Sequence, residues 1–236
     1  MKKDPKRMLL FGAPKTGKTT VLAQLDDCLI IDLEEGSDYV DAMVVKVNTI
    51  TEFRELVKAL EKSKKENDGK KPYRYIAIDT LTALEELSLP LAKALYMATP
   101  MGVNFDGNDV RTLPNGAGYL YTRAAFFKMV KPLEQFCEGL ILVGHVKEKD
   151  ITKKGESFTE KSINLTGKTK DILCAWCDSI GLIYREDNKT IIDFAPSDSL
   201  IVGSRQQHLI GQKIVVAESD ENHKLTVDWS KVFIDN

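Results

Sequence analysis

The sequence predicts an α/β fold: a mostly parallel sheet flanked by helices, with antiparallel strands added at the C-terminal end. Three observations predict it. Between Met8 and Val143, short apolar runs alternate with longer amphipathic ones, and strands separated by helices pair in parallel through right-handed crossovers. Beyond about Asp178, closely spaced strands flank polar turns, which is the antiparallel signature. A glycine-bearing loop, Gly12-Ala13-Pro14-Lys15-Thr16-Gly17-Lys18-Thr19, stands between the first strand and the first helix.

The elements follow in order. Met8 to Phe11, Cys28 to Ile31, Val44 to Val47, Tyr75 to Ile78 and Leu140 to Val143 are apolar runs of strand length. Lys18 to Leu25, Thr51 to Asn67, Leu81 to Ala98 and Gly118 to Cys137 read as helices. In the second of these, Phe53, Leu56, Val57 and Leu60 share one face, and Thr51 is the expected N-cap. Ser179 to Tyr184 and Thr190 to Phe194 flank a turn at Glu186-Asp187-Asn188. Lys213 to Ala217 and Lys224 to Val227 flank another at Asp220-Glu221-Asn222. Thr99 to Gly118 and Lys147 to Lys170 break the rhythm and read as functional loops.

Composition bounds the function. The 236 residues fit one domain, with a core over about 8–185 and a β-rich extension over about 186–236. Lys plus Arg is 33 against 35 Asp plus Glu, a net charge of −2. That balance excludes a uniformly basic nucleic-acid coat. Cys28, Cys137, Cys174 and Cys177 are too irregular for a disulfide framework. No apolar run approaches the roughly 20 residues that span a bilayer. The expected setting is cytoplasmic, with no membrane partner.

The loop at 12–19 matches the P-loop pattern at every fixed position. Glycines let backbone N–H groups wrap phosphates, so Gly12, Ala13, Pro14, Lys15, Thr16 and Gly17 form the cradle. Lys18 is expected at the β- and γ-phosphates, Thr19 at Mg²⁺ and Thr20 at the α-phosphate. Asp79, ending the strand Tyr75-Ile76-Ala77-Ile78, supplies the metal carboxylate. The expected cofactors are therefore ATP and Mg²⁺. Hydrolysis also needs a group that positions water, and Thr80 stands where many P-loop ATPases carry Glu. The end of the second strand offers Glu34 or Glu35 instead.

With these residues in view, the sequence resembles the RecA-like P-loop ATPases, and most of all the compact phage-encoded Sak-type group of single-strand annealing and recombination ATPases. Four segments carry the resemblance: Gly12 to Thr20, Ile31-Asp32-Leu33-Glu34-Glu35-Gly36-Ser37-Asp38, Ile76 to Thr82, and Leu142-Val143-Gly144-His145-Val146-Lys147-Glu148-Lys149. The resemblance implies a RecA-like core with Glu34 as the catalytic carboxylate and His145 as the group that senses the γ-phosphate. It implies single-stranded DNA as partner, self-association into a ring or filament, and an associated single-strand-binding protein. Lys147, Lys149, Lys153, Lys154 and Lys161 would then track a phosphate backbone, with Phe158 stacking on a base. Phe105 and Arg111 are secondary contacts. Arg205 is the candidate basic residue offered in trans.

Two other functions fit the P-loop. A small-molecule kinase would need an arginine-rich lid segment, which the sequence lacks. A nucleotide-dependent assembly module would bind ATP without turnover. A GTPase is disfavoured because Asn188-Lys189-Thr190-Ile191 lacks the Asp that reads guanine.

Overall fold

The structure, a computed structural model, describes residues 4–153 and 156–234. Its elements are β1 (Arg7–Gly12), α1 (Lys18–Leu22), β2 (Cys28–Asp32), β3 (Met43–Lys46), α2 (Ile50–Glu66), β4 (Tyr73–Asp79), α3 (Leu81–Leu87) and α4 (Leu89–Met97). There follow α5 (Gly118–Val130), β5 (Cys137–Lys153), β6 (Glu156–Ile163), α6 (Lys168–Trp176), β7 (Ser179–Glu186), β8 (Lys189–Asp193), β9 (Gly203–Ser204), β10 (Lys213–Ser219) and β11 (Leu225–Val227). The main sheet runs β11-β10-β8-β7-β1-β5-β4-β2-β3. Pairs from β7 to β3 are parallel, and those from β7 to β11 are antiparallel. The α/β class expected from the sequence is the class observed.

Side-chain alternation explains why both faces are covered. Along β1, Leu9 and Phe11 enter one core with Phe53 and Leu60 of α2, Leu84 of α3 and Phe126 of α5. Met8 and Leu10 enter the other, with Val21 and Leu22 of α1 and with Trp229, Val232 and Phe233. A strand buried on both sides reads as a continuous apolar run rather than an alternating one. The Trp229 indole N–H also donates to the Val21 carbonyl at 2.9 Å. Residues near the C-terminal end thus brace the helix that follows the phosphate loop.

Four expectations are corrected. Thr49, not Thr51, caps α2: its hydroxyl accepts the Glu52 N–H at 3.1 Å, and the Glu52 carboxylate accepts the Thr49 N–H at 3.1 Å. This reciprocal pair satisfies two N–H groups that a helix start leaves open. The helix expected over 81–98 is two helices meeting at Ser88, because Pro90 has no N–H and its ring collides with the carbonyl four residues back. The helix expected over 118–137 ends at Val130 and passes through a 3₁₀ stretch, Lys131–Phe136, into β5. The loop expected from Lys147 is a ribbon in which β5 and β6 pair antiparallel from Val146↔Ile163 to Lys153↔Glu156. Among the described residues no helix is long and apolar enough to cross a membrane.

Candidate functional site

Register brings the carboxyl ends of four parallel strands together. Gly12 stands opposite His145, and Asp32 opposite Asp79. Such strand ends are where open α/β sheets hold ligands. The loop leaving β1 is shaped by two glycines with different reasons. A Cβ on Gly12 would meet the Ile183 carbonyl oxygen at 2.2 Å, so only glycine lets β1 lie this close to β7. Gly17 has φ +85 and starts α1, a backbone shape that L side chains rarely adopt. The Thr16 hydroxyl closes the loop by donating to the Ala13 carbonyl at 2.9 Å.

A cavity of about 390 Å³ opens over this loop, lined by Pro14, Lys15, Gly17, Lys18, Thr19, Thr20, Asp32, Glu34, Gly36, Asp79, Thr80, His145 and Arg185. Lys18 is buried and donates to the carbonyls of Ala13 (2.7 Å) and Gly12 (3.4 Å). Burial pushes its pKa down, while Asp79 and Glu34 pull it back up. The Thr19 hydroxyl donates to Asp79 Oδ2 at 2.5 Å. Burial pushes the Asp79 carboxyl above its ordinary range, and the Thr19 bond and the Lys18 charge only partly offset this.

A hydroxyl and a carboxylate oxygen side by side, next to a buried ammonium, form a hard-oxygen donor set suited to Mg²⁺ bound with phosphate. No group of three or more His, Cys, Asp and Glu able to hold a metal occurs among the described residues. A cation at Thr19 and Asp79 would therefore complete its shell with phosphate oxygens and water, as Mg²⁺ does at nucleotide sites.

Glu34 lines the same cavity as this pair. Its Oε1 accepts the Thr80 hydroxyl at 2.6 Å. Both its oxygens lie near His145 Nε2, at 3.1 and 3.0 Å. A carboxylate only accepts, so Nε2 carries the hydrogen. His145 Nδ1 is buried and has no partner among the described residues. Glu35, with φ +56, turns aside to Asn48 Nδ2 at 3.4 Å.

With this geometry in place, a family model described as AAA domain matches residues 4–206. The chain belongs to the AAA domain family. The match covers most of the chain and makes this a nucleotide-binding domain of the P-loop ATPase type. Comparison with curated proteins gives no match.

Asp32 shapes the segment that carries Glu34 in this AAA domain. Its buried carboxylate accepts the N–H groups of Glu34 (3.0 Å), Gly36 (3.3 Å) and Ser37 (3.0 Å), and the Ser37 hydroxyl. Burial alone would raise its pKa, but these donors together hold it below the ordinary range. A carboxylate depressed by folding stabilises the fold above its unfolded value of about 3.9, and the contribution fades as pH falls through the lower folded value. Asp32→Asn should therefore cost about 2 kcal/mol at neutral pH. The gap from wild type should narrow at pH 3, as read by urea unfolding. A gap independent of pH would show that the charge contributes nothing.

Arg185 is a cavity residue to which the sequence reading gave no role, as are Asp32, Gly36 and Thr80. It is the penultimate residue of β7, the strand beside β1, and among the described residues it has no ion pair. Only the strand order reveals it. Arg205 lies elsewhere: β9 pairs with the start of β7, and Arg205 bonds Asp178 (3.2 Å) and the Ala175 carbonyl (2.9 Å) at the opposite end of the sheet. On the ribbon, pairing puts Lys147, Lys149, Ile151 and Phe158 on one face, whereas Lys161 sits on the other, bridged to Glu148 at 3.3 Å. Of the five lysines expected to act together, the three whose side chains are described are thus split between faces. Lys154 and the Lys153 side chain lie outside the described residues. Arg111 is held by Glu86 (2.5 Å) and Asp109 (2.7 Å), and Phe105 packs edge-on against Tyr96.

A larger cleft of about 750 Å³ lies along β8, β10 and β11, lined by Lys189, Lys231, Glu218, Asp220 and Glu221 among others. Its interleaved charges select neither sign of ligand, and none of its lining residues belongs to the phosphate loop. The candidate functional site is the smaller cavity. Cys174 and Cys177 are packed thiols whose pKa values burial raises, that of Cys174 to about 11.

Proposed function

We propose that this AAA domain is a RecA-like ATPase of the Sak type, which hydrolyses ATP with Mg²⁺ and acts on single-stranded DNA in phage-type recombination or annealing. The observation that carries the reading is the placement of Glu34. It lines the same cavity as Thr19 and Asp79 and bonds Thr80, the residue after Asp79, and His145, at the root of a lysine-bearing ribbon, is its neighbour. In this reading the loop amides and Lys18 bind the phosphates, and Arg185 adds a second cation at the mouth. Mg²⁺, held by Thr19 and by Asp79 beyond it, would neutralise phosphate charge. The Glu34 carboxylate orients the attacking water and takes up its proton at an Oε atom. Thr80 and the Nε2–H of His145 hold that carboxylate in place. A change at Glu34 would reach β5 through His145, and so reach the ribbon. Head-to-tail self-association belongs to the same reading, with Arg205 facing a neighbouring subunit.

The decisive experiment is ATP hydrolysis with and without single-stranded DNA. Stimulation by DNA supports the whole reading. Turnover without stimulation keeps the ATPase and removes DNA. Turnover only with an added small acceptor would make the protein a kinase. Binding without turnover would make it an assembly module.

The ribbon makes a separate prediction. Replacing both Lys147 and Lys149 by alanine should weaken DNA binding and reduce the slope of log affinity against log salt by about 1.4, at about 0.7 per lost phosphate contact on a single strand. Unchanged affinity and slope would remove this face of the ribbon from the DNA site.

A further inference from the structure

We propose that α3 couples the Glu34 carboxylate to the base of the β5–β6 ribbon and to the 99–118 segment, with Glu85 as the positioning residue for the ribbon base. The proposal rests on the nucleotide reading above and concerns carboxylates to which that reading gives no role. The helix starts at Thr80, whose hydroxyl donates to Glu34 Oε1 at 2.6 Å and also accepts the Ala83 N–H at 3.4 Å as N-cap. Five residues on, about 8 Å along the axis, Glu85 is only 5% exposed. Its carboxylate accepts the Thr166 hydroxyl at 2.8 Å and the Thr166 N–H at 3.1 Å.

Thr166 lies in the segment that leaves the ribbon after β6. The Thr82 hydroxyl donates to the Asn164 carbonyl in the same segment at 3.2 Å, and the Asn164 N–H donates to the His145 carbonyl at 2.8 Å. The entry and the exit of the ribbon are therefore both tied to groups that touch Glu34: His145 on one side, Thr80 through α3 on the other. Glu86, the next residue, points to a different loop and pairs with both terminal nitrogens of Arg111, at 2.5 and 3.1 Å. That pair anchors the 99–118 segment to the same helix.

Two considerations favour a coupling role over simple packing. A short helix of two turns, hydrogen-bonded at both ends, moves as one body instead of bending. A buried carboxylate is also an expensive way to fill space, since an apolar side chain of similar volume often serves as well or better. Burial raises the Glu85 carboxyl above its ordinary range, and the Thr166 bonds offset this only in part. Among the described residues the Glu85 carboxylate takes its hydrogen bonds from Thr166 alone, which belongs to the ribbon base, and the Arg111 charge adds a weaker attraction.

Hydrogen exchange on the full chain tests the proposal, read by mass spectrometry with and without a non-hydrolysable ATP analogue and Mg²⁺. In wild type the analogue should slow exchange at residues 12–20, and at 163–167 by about tenfold or more. In Glu85→Ala the phosphate loop should keep its protection, while the effect at 163–167 falls below about twofold. Glu85→Gln, which retains one acceptor oxygen, should restore part of it. Equal ribbon protection in Glu85→Ala and wild type would overturn the proposal, as would a wild-type ribbon indifferent to nucleotide while the phosphate loop responds. A wild-type phosphate loop without protection would sink the nucleotide reading itself, and this proposal with it. If Glu85→Ala fails to fold, Thr166→Val removes the hydroxyl from the other side of the contact. Reduced ribbon protection in that variant supports the coupling, and full protection refutes it.

Discussion

Replacing Lys18 by alanine is expected to remove nucleotide binding while leaving the fold intact. The Lys18 ammonium is buried, and burial pushes its pKa down, so the fold itself gains little from its charge. Its bonds to the Gly12 and Ala13 carbonyls park it at the loop until a stronger acceptor arrives. Phosphate oxygens are that acceptor. Truncating one member of a desolvated charge pair typically costs about 2–5 kcal/mol. That corresponds to a loss in affinity of about 30-fold to several thousand-fold. Titration with a fluorescent ATP analogue reads the loss, and thermal unfolding without nucleotide should occur close to the wild-type temperature. Wild-type affinity in this variant would mean that the cavity over residues 12–20 is not the nucleotide site.

Glu34→Gln should separate binding from turnover. Glutamine keeps a carbonyl oxygen to accept the Thr80 hydroxyl and the His145 Nε2–H, so the segment that Asp32 organises should hold its shape. The amide cannot take a proton from water. Loss of a positioned base typically lowers rate by about 10²–10⁴-fold, so hydrolysis should fall on that scale while nucleotide affinity stays nearly unchanged. Glu35→Gln is the internal comparison. Its side chain turns to Asn48 instead of the cavity, and it should keep most of the wild-type rate. Equal losses in the two variants, or none in either, would remove Glu34 from its assigned role.

The fold class and the phosphate loop were legible in the sequence because their causes are local. Eight consecutive residues set the backbone path from Gly12 to Thr19, and the strand before it and the helix after it are each marked by their own periodicity. Asp79 was legible for a related reason, as the polar end of an apolar run. Helix boundaries were read less well. The Thr49–Glu52 capping box outweighed Thr51, and Pro90 and the 3₁₀ stretch at Lys131–Phe136 divided or shortened runs whose apolar pattern is continuous.

Tertiary structure decided what sequence distance hides. Glu34 and Glu35 are chemically equivalent neighbours until the Asp32 turn sends one to Thr80 and His145 and the other to Asn48. Arg185 and Arg205 look alike in the chain. Strand order places the first at the carboxyl end of β7 beside the phosphate loop, and leaves the second at the amino end of that strand. The ribbon lysines look like one cluster until a period of two sends Lys147 and Lys149 to one face and Lys161 to the other. Backbone conformation and burial pattern are properties of adjacent residues, so the sequence by itself determined the α/β class and the phosphate loop. The direction in which a side chain points across the sheet depends on pairing and register between distant strands, and only the folded chain establishes those.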